Sequence, residues 1–239
     1  MKGFLLAAGH GTRLRPITDK IPKCLVPIRG VPMLQIWLEA CRCAGITEVL
    51  INVHAHIDAV RAAVGQGKEG LKINISEEPT LLGSAGTLLA NRQWLNSDPY
   101  FWVFYADVLT NADLTPMIRL HEHHRPIATI GLYKVKDPSR CGVVSFDDQF
   151  VVREFVEKPS NPKSSWAFSG LMIGTHELLN AIPQKPLADL GFDVLPSLSG
   201  RMLACPINDY LLDIGTMENY EIAQKTWPES YGLPYKADQ

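Results

Sequence analysis

The sequence predicts an α/β fold: a Rossmann-like, mostly parallel twisted sheet with helices on both faces and a small antiparallel insert. In the first half, buried-strand patterns alternate with helix patterns, a rhythm typical of parallel sheets. In the second half, shorter strand-like segments follow one another across turns, which indicates antiparallel pairing. With 46% hydrophobic and 20% charged residues, the chain of 239 residues has the composition of a globular domain.

The first strand is predicted at residues 2–8, a continuous apolar run that ends at Gly9 and reads as buried on both faces. Apolar residues at three- and four-residue spacing predict a helix at 32–44, which Gly45 would end. The same patterns predict strands at 48–53, 72–76, 100–105 and 127–135, and helices at 57–64, 87–95 and 113–124, with Asp113 as N-cap of the last. Right-handed crossovers place the loops that follow residues 8 and 105 at one edge of the sheet, where such folds bind ligands.

The second half is predicted to begin with a hairpin, formed by residues 142–146 and 152–156 around the turn pair Asp147-Asp148. A strand at 166–173, short pieces at 193–198, 203–206 and 210–213, and a closing helix at 217–227 follow. We expect residues 1–227 to form a single domain and residues 228–239 to form a polar tail.

Charge and cysteine content exclude several classes of protein. The 23 basic and 25 acidic residues give a net charge of -2, which argues against bulk binding to nucleic acid or to an anionic membrane. The five cysteines are odd in number and form no C-x-x-C pair, so reduced thiols in a cytoplasmic protein are expected. The apolar run at residues 4–8 is too short for a signal peptide or a membrane span.

The loop after the first strand has the features of a phosphate-binding loop. Gly9 and Gly11 let backbone N–H groups approach a phosphate, and Arg13 and Lys23 add two cations nearby. A G-x-G pair alone is equally compatible with a plain tight turn. The Walker pattern is absent, and Leu14 stands where a dinucleotide-binding loop needs a small residue.

The run AAGHGTRLRPITDKIPKCLVPI, residues 7–28, resembles the signature G-x-G-T-R-[LM]-x-P-[ILM]-T-x-x-x-P-K of the sugar-1-phosphate nucleotidyltransferases. Five later segments resemble family motifs in the expected order: LGSAGT at 82–87, ADV at 106–108, GVV at 142–144, EKP at 157–159 and DIGTMENY at 213–220. The resemblance extends from residue 1 to about residue 227. It implies the family fold, in which the antiparallel insert binds the sugar.

The resemblance implies attack by a sugar 1-phosphate on the α-phosphorus of an NTP, with release of pyrophosphate. Arg13 would contact the β- and γ-phosphates and Lys23 the α-phosphate, as catalytic residues. The nucleotide would lie against backbone at Ala8, Gly9, Gly11, Thr12, Gly83, Ala85 and Gly86. The alternative for the two cations is that they are simply solvated.

Asp107 and Asp213 match the two metal-binding aspartates of the family and would hold one Mg²⁺, the expected cofactor. The alternative is that each caps a loop. Lys158 would bind the phosphate of the sugar and Glu157 a sugar hydroxyl, and Gly142 would leave space for the ring. For Glu157 and Lys158 the alternative is an exposed ion-pair turn before Pro159.

Other polar residues are less decisive. Glu77 and Glu78 either meet a donor edge of the base or are solvated at a strand end. The stretch His121, Glu122, His123 and His124 has no H-E-x-x-H spacing and is expected on a solvated helix face. Asp193 is a weak site candidate that could equally cap a helix.

Departures from the family pattern occur at Ala106 (usually Gly), Phe168 (often Asn) and Met217 (usually Pro), and Phe168 is the one expected to alter the choice of sugar. The form L-G-S-A-G resembles members that use GTP with mannose- or heptose-type phosphates, or UTP with N-acetylmuramate phosphate. A phosphocholine cytidylyltransferase and a non-catalytic regulatory or sensing relative are the alternatives. The base, the sugar and the oligomeric state, monomer or homodimer, stay open.

Overall fold

The structure is a computed structural model that describes residues 1–65, 70–96 and 98–228. Its helices are α1 (Met33–Cys43), α2 (Ile57–Val64), α3 (Ser84–Ala90), α4 (Thr115–His124), α5 (His176–Asn180) and α6 (Met217–Thr226). Its strands are β1 (Lys2–Leu6), β2 (Pro27–Ile28), β3 (Val31–Pro32), β4 (Glu48–Val53), β5 (Lys72–Glu77), β6 (Tyr100–Tyr105), β7 (Val108–Thr110), β8 (Ala128–Lys134), β9 (Gly142–Phe146), β10 (Val152–Glu157), β11 (Trp166–Thr175), β12 (Met202–Pro206) and β13 (Leu211–Asp213). Most ends lie within two residues of the predicted ones, and the predicted tail lies outside the described residues except for Pro228.

A central mixed sheet joins most of these strands in the order β10-β9-β11-β6-β1-β4-β5, with β8 beside β11 and β12 beside β8. The strands β6, β1, β4 and β5 pair in parallel, which confirms the predicted first half. Their carboxyl ends therefore lie at one edge of the sheet. There the Ala106 N–H donates to the Leu6 carbonyl at 3.0 Å, so the loops after β1 and β6 are neighbours.

Helices cover both faces of the sheet, as predicted, because the strands alternate their side chains between two cores. Phe101 and Val103 of β6 point into one core, where side chains of α3 and α5 pack. Trp102 and Phe104 point into the other core, where side chains of α1, α2 and α4 pack. The four central residues of the aromatic strand, Phe101 to Phe104, are thus core, whereas Tyr105 at its end reaches the ligand edge.

The second half contains the predicted antiparallel insert. The hairpin β9–β10 pairs in antiparallel fashion, and β11 runs antiparallel to both β6 and β8. A register shift in β11 falls between Phe168 and Met172, where Gly170 has a φ of +79°. Two short pairs lie outside the main sheet: β2 with β3, and β7 with β13.

Two predictions about helices are wrong. The helix predicted at 87–95 begins three residues earlier, at Ser84, and ends at Ala90, before a separate 3-10 turn at Arg92–Leu95. The reason is that Gly83, with a φ of +80°, turns the chain directly into the helix.

The second wrong prediction concerns His121, which does not lie on a solvated face. Its side chain is buried, with Nδ1 3.0 Å from the Thr129 hydroxyl of β8, and burial lowers its pKa to about 4. His123 and His124 are exposed, as expected. The predicted N-cap is displaced by one residue: Leu114 is the N-cap of α4, although the Asp113 carboxylate just before it accepts the Thr115 N–H at 2.9 Å.

Within the described ranges, none of the helices has the length and apolar content that crossing a membrane requires.

Candidate active site

The glycine loop after β1 is fixed by Thr18 at Gly11 and is open at Gly9. A Cβ on Gly11, which has a φ of +65°, would come within 2.9 Å of the Thr18 side chain, while the Thr18 hydroxyl donates to the Gly11 carbonyl at 2.7 Å. A Cβ on Gly9, by contrast, would meet no described atom within 4 Å. The loop therefore has a fixed turn at Gly11 and free space at Gly9 for a ligand to approach the backbone.

The two predicted catalytic cations lie on short turns that follow this loop. Arg13 belongs to a 3-10 turn, Thr12–Leu14, and its guanidinium lies beside Gly215, where an added Cβ would be 3.0 Å from it. Lys23 begins the 3-10 turn Lys23–Leu25, and its Nζ donates to Asp107 Oδ2 at 2.5 Å. The structure therefore brings both cations to the carboxyl edge of the sheet, as predicted.

The two aspartates meet because two very short strands pair. In the ladder between β7 and β13, Asp213 is the register partner of Val108, and the Ile214 N–H donates to the Asp107 carbonyl at 2.8 Å. Residues far apart in the chain are thereby placed side by side. Burial, followed by the charge of Asp107, raises the pKa of Asp213, against the opposing effects of Lys23 and Arg13.

This pair of carboxylates fits a hard divalent cation. Asp213 Oδ1 is buried and has no hydrogen-bond partner among the described residues. A Cβ on Gly215 would come within 2.7 Å of that oxygen, so the glycine keeps the space beside it free. Among the described residues no group of three or more His, Cys, Asp or Glu side chains forms a metal site. Two carboxylates completed by water and substrate phosphate are the ligand set that Mg²⁺ typically uses.

A cleft of about 820 Å³ runs from these residues across the sheet edge to the hairpin β9–β10. Of the predicted site residues it is lined by Arg13, Asp107, Asp213, Gly142, Glu157 and Lys158. Lys23 and Gly9 line a small recess that shares Asp107 with the cleft, and Ala8 lines another beside it. The predicted phosphate, metal and sugar residues therefore share one continuous edge.

The acceptor side of the cleft is built at the end of β10. Burial is the main cause that raises the pKa of Glu157, and the Lys158 ammonium, 3.7 Å away, opposes it. Lys158 has a φ of +49°, and its N–H donates to the Cys141 carbonyl at 2.9 Å. The space beside Gly142 is taken by protein and not left for a sugar ring, because a Cβ there would come within 2.6 Å of the Phe155 ring and 2.7 Å of Glu157 Oε2. The glycine instead makes room for the Glu157 carboxylate.

The glycine-rich segment at the start of α3 packs against protein and does not stand open. The N–H groups of Ala85 and Gly86 donate to the Ala188 carbonyl at 3.0 and 3.1 Å, and a Cβ on Gly83 would overlap that same carbonyl. These three glycine and alanine positions thus fix how the segment sits on residue 188. Contact between this segment and a base remains a prediction.

Glu78, which had two open interpretations, fits neither. It is buried, and it accepts hydrogen bonds from Asn52 Nδ2 at 2.9 Å and from the Leu82 N–H at 3.2 Å. Asn52 in turn accepts the Ala7 N–H at 2.7 Å. Glu78 therefore ties the glycine loop to the segment before α3, whereas Glu77 is solvated and paired with Arg61.

Sequence reasoning missed several cleft residues: Tyr105, Tyr133, Cys141, Asp189 and Phe192. Tyr105 ends β6 two residues before Asp107, a position at the ligand edge that could have drawn attention. Burial and the charge of Asp189 raise its pKa. Asp189 stands in a loop without a motif, and no sequence signal points to it. Asp193 does not line the cleft. Its carboxylate accepts the Asp189 N–H at 2.7 Å and pairs with Lys185.

Comparison with known proteins identifies the class. Residues 2–230 match the family model of nucleotidyl transferases, so the chain belongs to that family. The resemblance seen in the sequence is thereby confirmed.

Two relatives illustrate where it falls within the family. The chain is 34% identical over 227 residues to the mannose-1-phosphate guanylyltransferase catalytic subunit beta of Xenopus tropicalis, an alignment that covers 92% of this chain and 62% of that protein. It is 31% identical to the corresponding subunit of Danio rerio, with the same coverage. The chain thus spans less than two thirds of the length of these curated relatives.

Solved structures agree with the fold. A candidate glucose-1-phosphate thymidylyltransferase from Bacillus anthracis, in complex with sucrose, superposes with a TM-score of 0.84 at 25% identity, covering 94% of each chain. HddC from Yersinia pseudotuberculosis superposes with a TM-score of 0.80 at 24% identity, covering 95% of this chain and 99% of that one. The predicted Rossmann-like fold class is confirmed.

Proposed function

We propose that the protein transfers a nucleoside monophosphate from an NTP to a sugar 1-phosphate, giving an NDP-sugar and pyrophosphate with the help of Mg²⁺. The main support is the convergence on one cleft of Arg13, Asp107 and Asp213 at one end and Glu157 and Lys158 at the other. Family membership supports the reaction class, and the names of the relatives support a sugar phosphate as acceptor.

On the donor side, the polyphosphate would follow the backbone of Ala8, Gly9, Gly11 and Thr12, with the base toward the segment Gly83, Ala85 and Gly86. The planar guanidinium of Arg13 suits two oxygens of the β- and γ-phosphates, and it would stabilise the leaving pyrophosphate. Lys23 would meet the charge at the α-phosphate. An oxygen of the acceptor phosphate forms the new bond to the α-phosphorus as the bond to the bridging oxygen of the β-phosphate breaks.

Asp107 and Asp213 would hold the Mg²⁺. When bound, the cation supplies charge neutralisation at the phosphates. Asp213 is suited to this ligand role because its Oδ1 has no described hydrogen-bond partner and its carboxylate is buried. A bound cation would compensate the negative charge that is costly to bury alone. Asp107 forms a salt bridge with Lys23, which places the lysine ammonium beside the two carboxylates proposed to hold the metal.

On the acceptor side, Lys158 would bind the phosphate of the sugar 1-phosphate, and Glu157 would bind a hydroxyl of the sugar. Gly142 makes room for the Glu157 carboxylate. Phe168 lies between the rings of Tyr105 and Phe155, with centroids 5.7 and 6.2 Å away, and it lines the cleft. An aromatic ring instead of an asparagine amide favours apolar contact with the sugar at this point.

The donor is proposed to be GTP or UTP, with a hexose, heptose or N-acetylmuramate 1-phosphate as acceptor. The relatives, named as mannose-1-phosphate guanylyltransferases, favour GTP with mannose 1-phosphate as the first pair to test. All five cysteines are free, which supports a cytoplasmic location. The small net charge gives no support for a nucleic-acid or membrane partner.

The test is pyrophosphate release in the presence of Mg²⁺. GTP, UTP, dTTP, CTP and ATP are crossed with a panel of sugar 1-phosphates that includes mannose 1-phosphate and N-acetylmuramate 1-phosphate, and with phosphocholine. Release in one sugar cell that EDTA abolishes supports the proposal and names both substrates. Release only from CTP with phosphocholine favours a cytidylyltransferase. No release by a folded protein that binds a nucleotide favours a sensing relative.

A further inference from the structure

Asp189 is the centre of a hydrogen-bond network that none of the predicted roles uses. Its Oδ1 accepts the N–H groups of Gly191 and Phe192 at 2.8 and 3.1 Å. Its Oδ2 accepts the Ser84 hydroxyl at 2.9 Å. One carboxylate therefore holds the turn of residues 189–193 with one oxygen and the start of α3 with the other.

The turn of residues 189–193 forms a wall against the acceptor residues. Gly191 packs so closely on Glu157 that a Cβ there would come within 2.5 Å of Oε2. The Phe192 ring, 57% exposed, lies with its centroid 5.2 Å from Lys158 Nζ. A shift of this turn would thus move the neighbours of both Glu157 and Lys158.

Ser84 lies on the donor side, in the segment expected against the base. Besides donating to Asp189, its hydroxyl accepts the Leu190 N–H at 2.8 Å. The same two stretches are bonded again through Ala188, whose N–H donates to the Leu82 carbonyl at 2.9 Å and whose carbonyl accepts the N–H groups of Ala85 and Gly86. The donor segment and the turn are therefore joined by side-chain hydrogen bonds through Ser84 and by backbone hydrogen bonds through Ala188.

We propose that Asp189 is a positioning residue that, through Ser84, couples the donor segment of residues 82–86 to the acceptor residues Glu157 and Lys158. The inference rests on the proposed function, because it assigns the two sides of the network to the two substrates. A nucleotide bound against the donor segment restricts Ser84. Through its hydrogen bond to Asp189, this also restricts the turn that borders the acceptor residues. Coupling between two sites typically changes affinity by about 5- to 150-fold.

Ser84→Ala is the sharpest variant, because Ser84 bonds to the turn and not to Glu157 or Lys158. Initial rates are measured with GTP, mannose 1-phosphate and Mg²⁺, or with the active pair of the substrate panel. At saturating NTP we expect the KM for the sugar phosphate to rise about tenfold, as for loss of a hydrogen bond to a charged group. Because coupling is reciprocal, the KM for the NTP at saturating sugar phosphate should rise by a similar factor, whereas kcat should stay within about twofold. Ser84→Thr keeps the hydroxyl and should restore the acceptor KM.

Asp189→Asn completes a double-mutant cycle, since the amide oxygen still accepts from Gly191 and Phe192 while the charged acceptor for Ser84 is lost. If both residues act through one bond, the double variant should show about the same tenfold rise as each single variant, not their product. Circular dichroism and thermal unfolding verify that all variants fold.

Two results overturn the coupling and leave the function standing. One is wild-type turnover with an acceptor KM that Ser84→Ala does not change; the other is a double variant whose effects multiply. Absence of wild-type turnover with every pair overturns the proposed function and the coupling with it.

Discussion

Asp213→Asn should make the protein more stable and, at the same time, unable to use Mg²⁺. The substitution keeps the shape of the side chain but removes a buried charge whose Oδ1 has no described hydrogen-bond partner and which faces Asp107. Burying an unpaired charge costs more than burying a neutral polar group, and we expect the uncharged amide to recover about 1 kcal/mol of that difference. For a domain of this size that gain corresponds to a rise of about 2–4 °C in Tm.

The raised pKa of Asp213 also predicts how the stability of the wild type depends on pH. The pKa of Asp213 is raised in the folded state, so the folded protein binds a proton more tightly than the unfolded chain. The stability of the wild type should therefore fall as pH rises from 3.8, the ordinary pKa of an aspartate, through the raised pKa. Asp213→Asn should lack that decline, and the difference between the two proteins should be largest at neutral pH.

Thermal unfolding with and without Mg²⁺ tests the ligand role without relying on turnover. A ligand of the folded state at ten times its Kd adds about 1.4 kcal/mol, or about 3–6 °C in Tm. Wild type should show this rise when Mg²⁺ is titrated at constant ionic strength, and Asp213→Asn should not. Pyrophosphate release by the variant should be lower by about 10²-fold or more.

Asp209→Asn is the matched control, because it removes the same charge from an exposed aspartate four residues earlier. It should leave Tm, the Mg²⁺ response and turnover unchanged. A lower Tm of Asp213→Asn would contradict the buried unpaired charge, and a Mg²⁺ titration that overlays that of the wild type would remove Asp213 as a metal ligand.

Three further predictions concern the loop, the turn and the helix. Arg13→Ala should lower turnover about 10²-fold with unchanged circular dichroism, whereas Arg15→Ala, which removes an exposed arginine paired with Asp19, should leave kinetics unchanged; equal rates for both variants would remove Arg13 from the mechanism. Gly11→Ala should destabilise the fold by about 1–3 kcal/mol in urea unfolding, because its φ is +65° and Thr18 occupies the space of the new methyl group; an unchanged midpoint would contradict this. His121→Gln should remove a loss of stability of about 3 kcal/mol that the wild type shows between pH 6.5 and pH 4, where the buried imidazole must gain a proton on unfolding; parallel pH curves would disprove it.

The fold could be predicted to a large extent because its first half repeats one physical pattern. A buried strand such as β1 is a continuous apolar run, and α1 carries apolar residues at helical spacing, so both are visible in the local sequence. The start of α3 was missed because the turn at Gly83 leads directly into the helix, with no separate loop to mark its beginning. Strands of three residues such as β7 and β13 are too short to show a hydrophobic alternation, and their pairing depends on how the rest of the chain folds.

The candidate site divides in the same way. Arg13, Lys23, Asp107 and Asp213 were found through a signature, and the structure places them at one edge. Glu78 and Asp189 were not assigned their places, because neither belongs to a motif, and the local sequence does not show that another segment closes over the carboxylate. Their positions come from tertiary contacts: Glu78 is covered by the chain that enters α3, and Asp189 by Ser84.

The charges at the sheet edge explain why the substrates and the cation should bind together. Arg13 and Lys23 carry two positive charges, and Asp107 and Asp213 carry two negative charges when both are ionised, so this group alone offers no excess to a polyanion. The proposed substrates, a nucleoside triphosphate and a sugar phosphate, would bring several negative charges into the same cleft, where Lys158 adds one positive charge on the acceptor side. In the proposed function the remaining charge would be met by a divalent cation on the two aspartates, which would also relieve the repulsion between the carboxylates. We therefore expect nucleotide affinity to rise with Mg²⁺ in the wild type and to become insensitive to Mg²⁺ in Asp213→Asn, a difference that calorimetric titration of GTP measures directly.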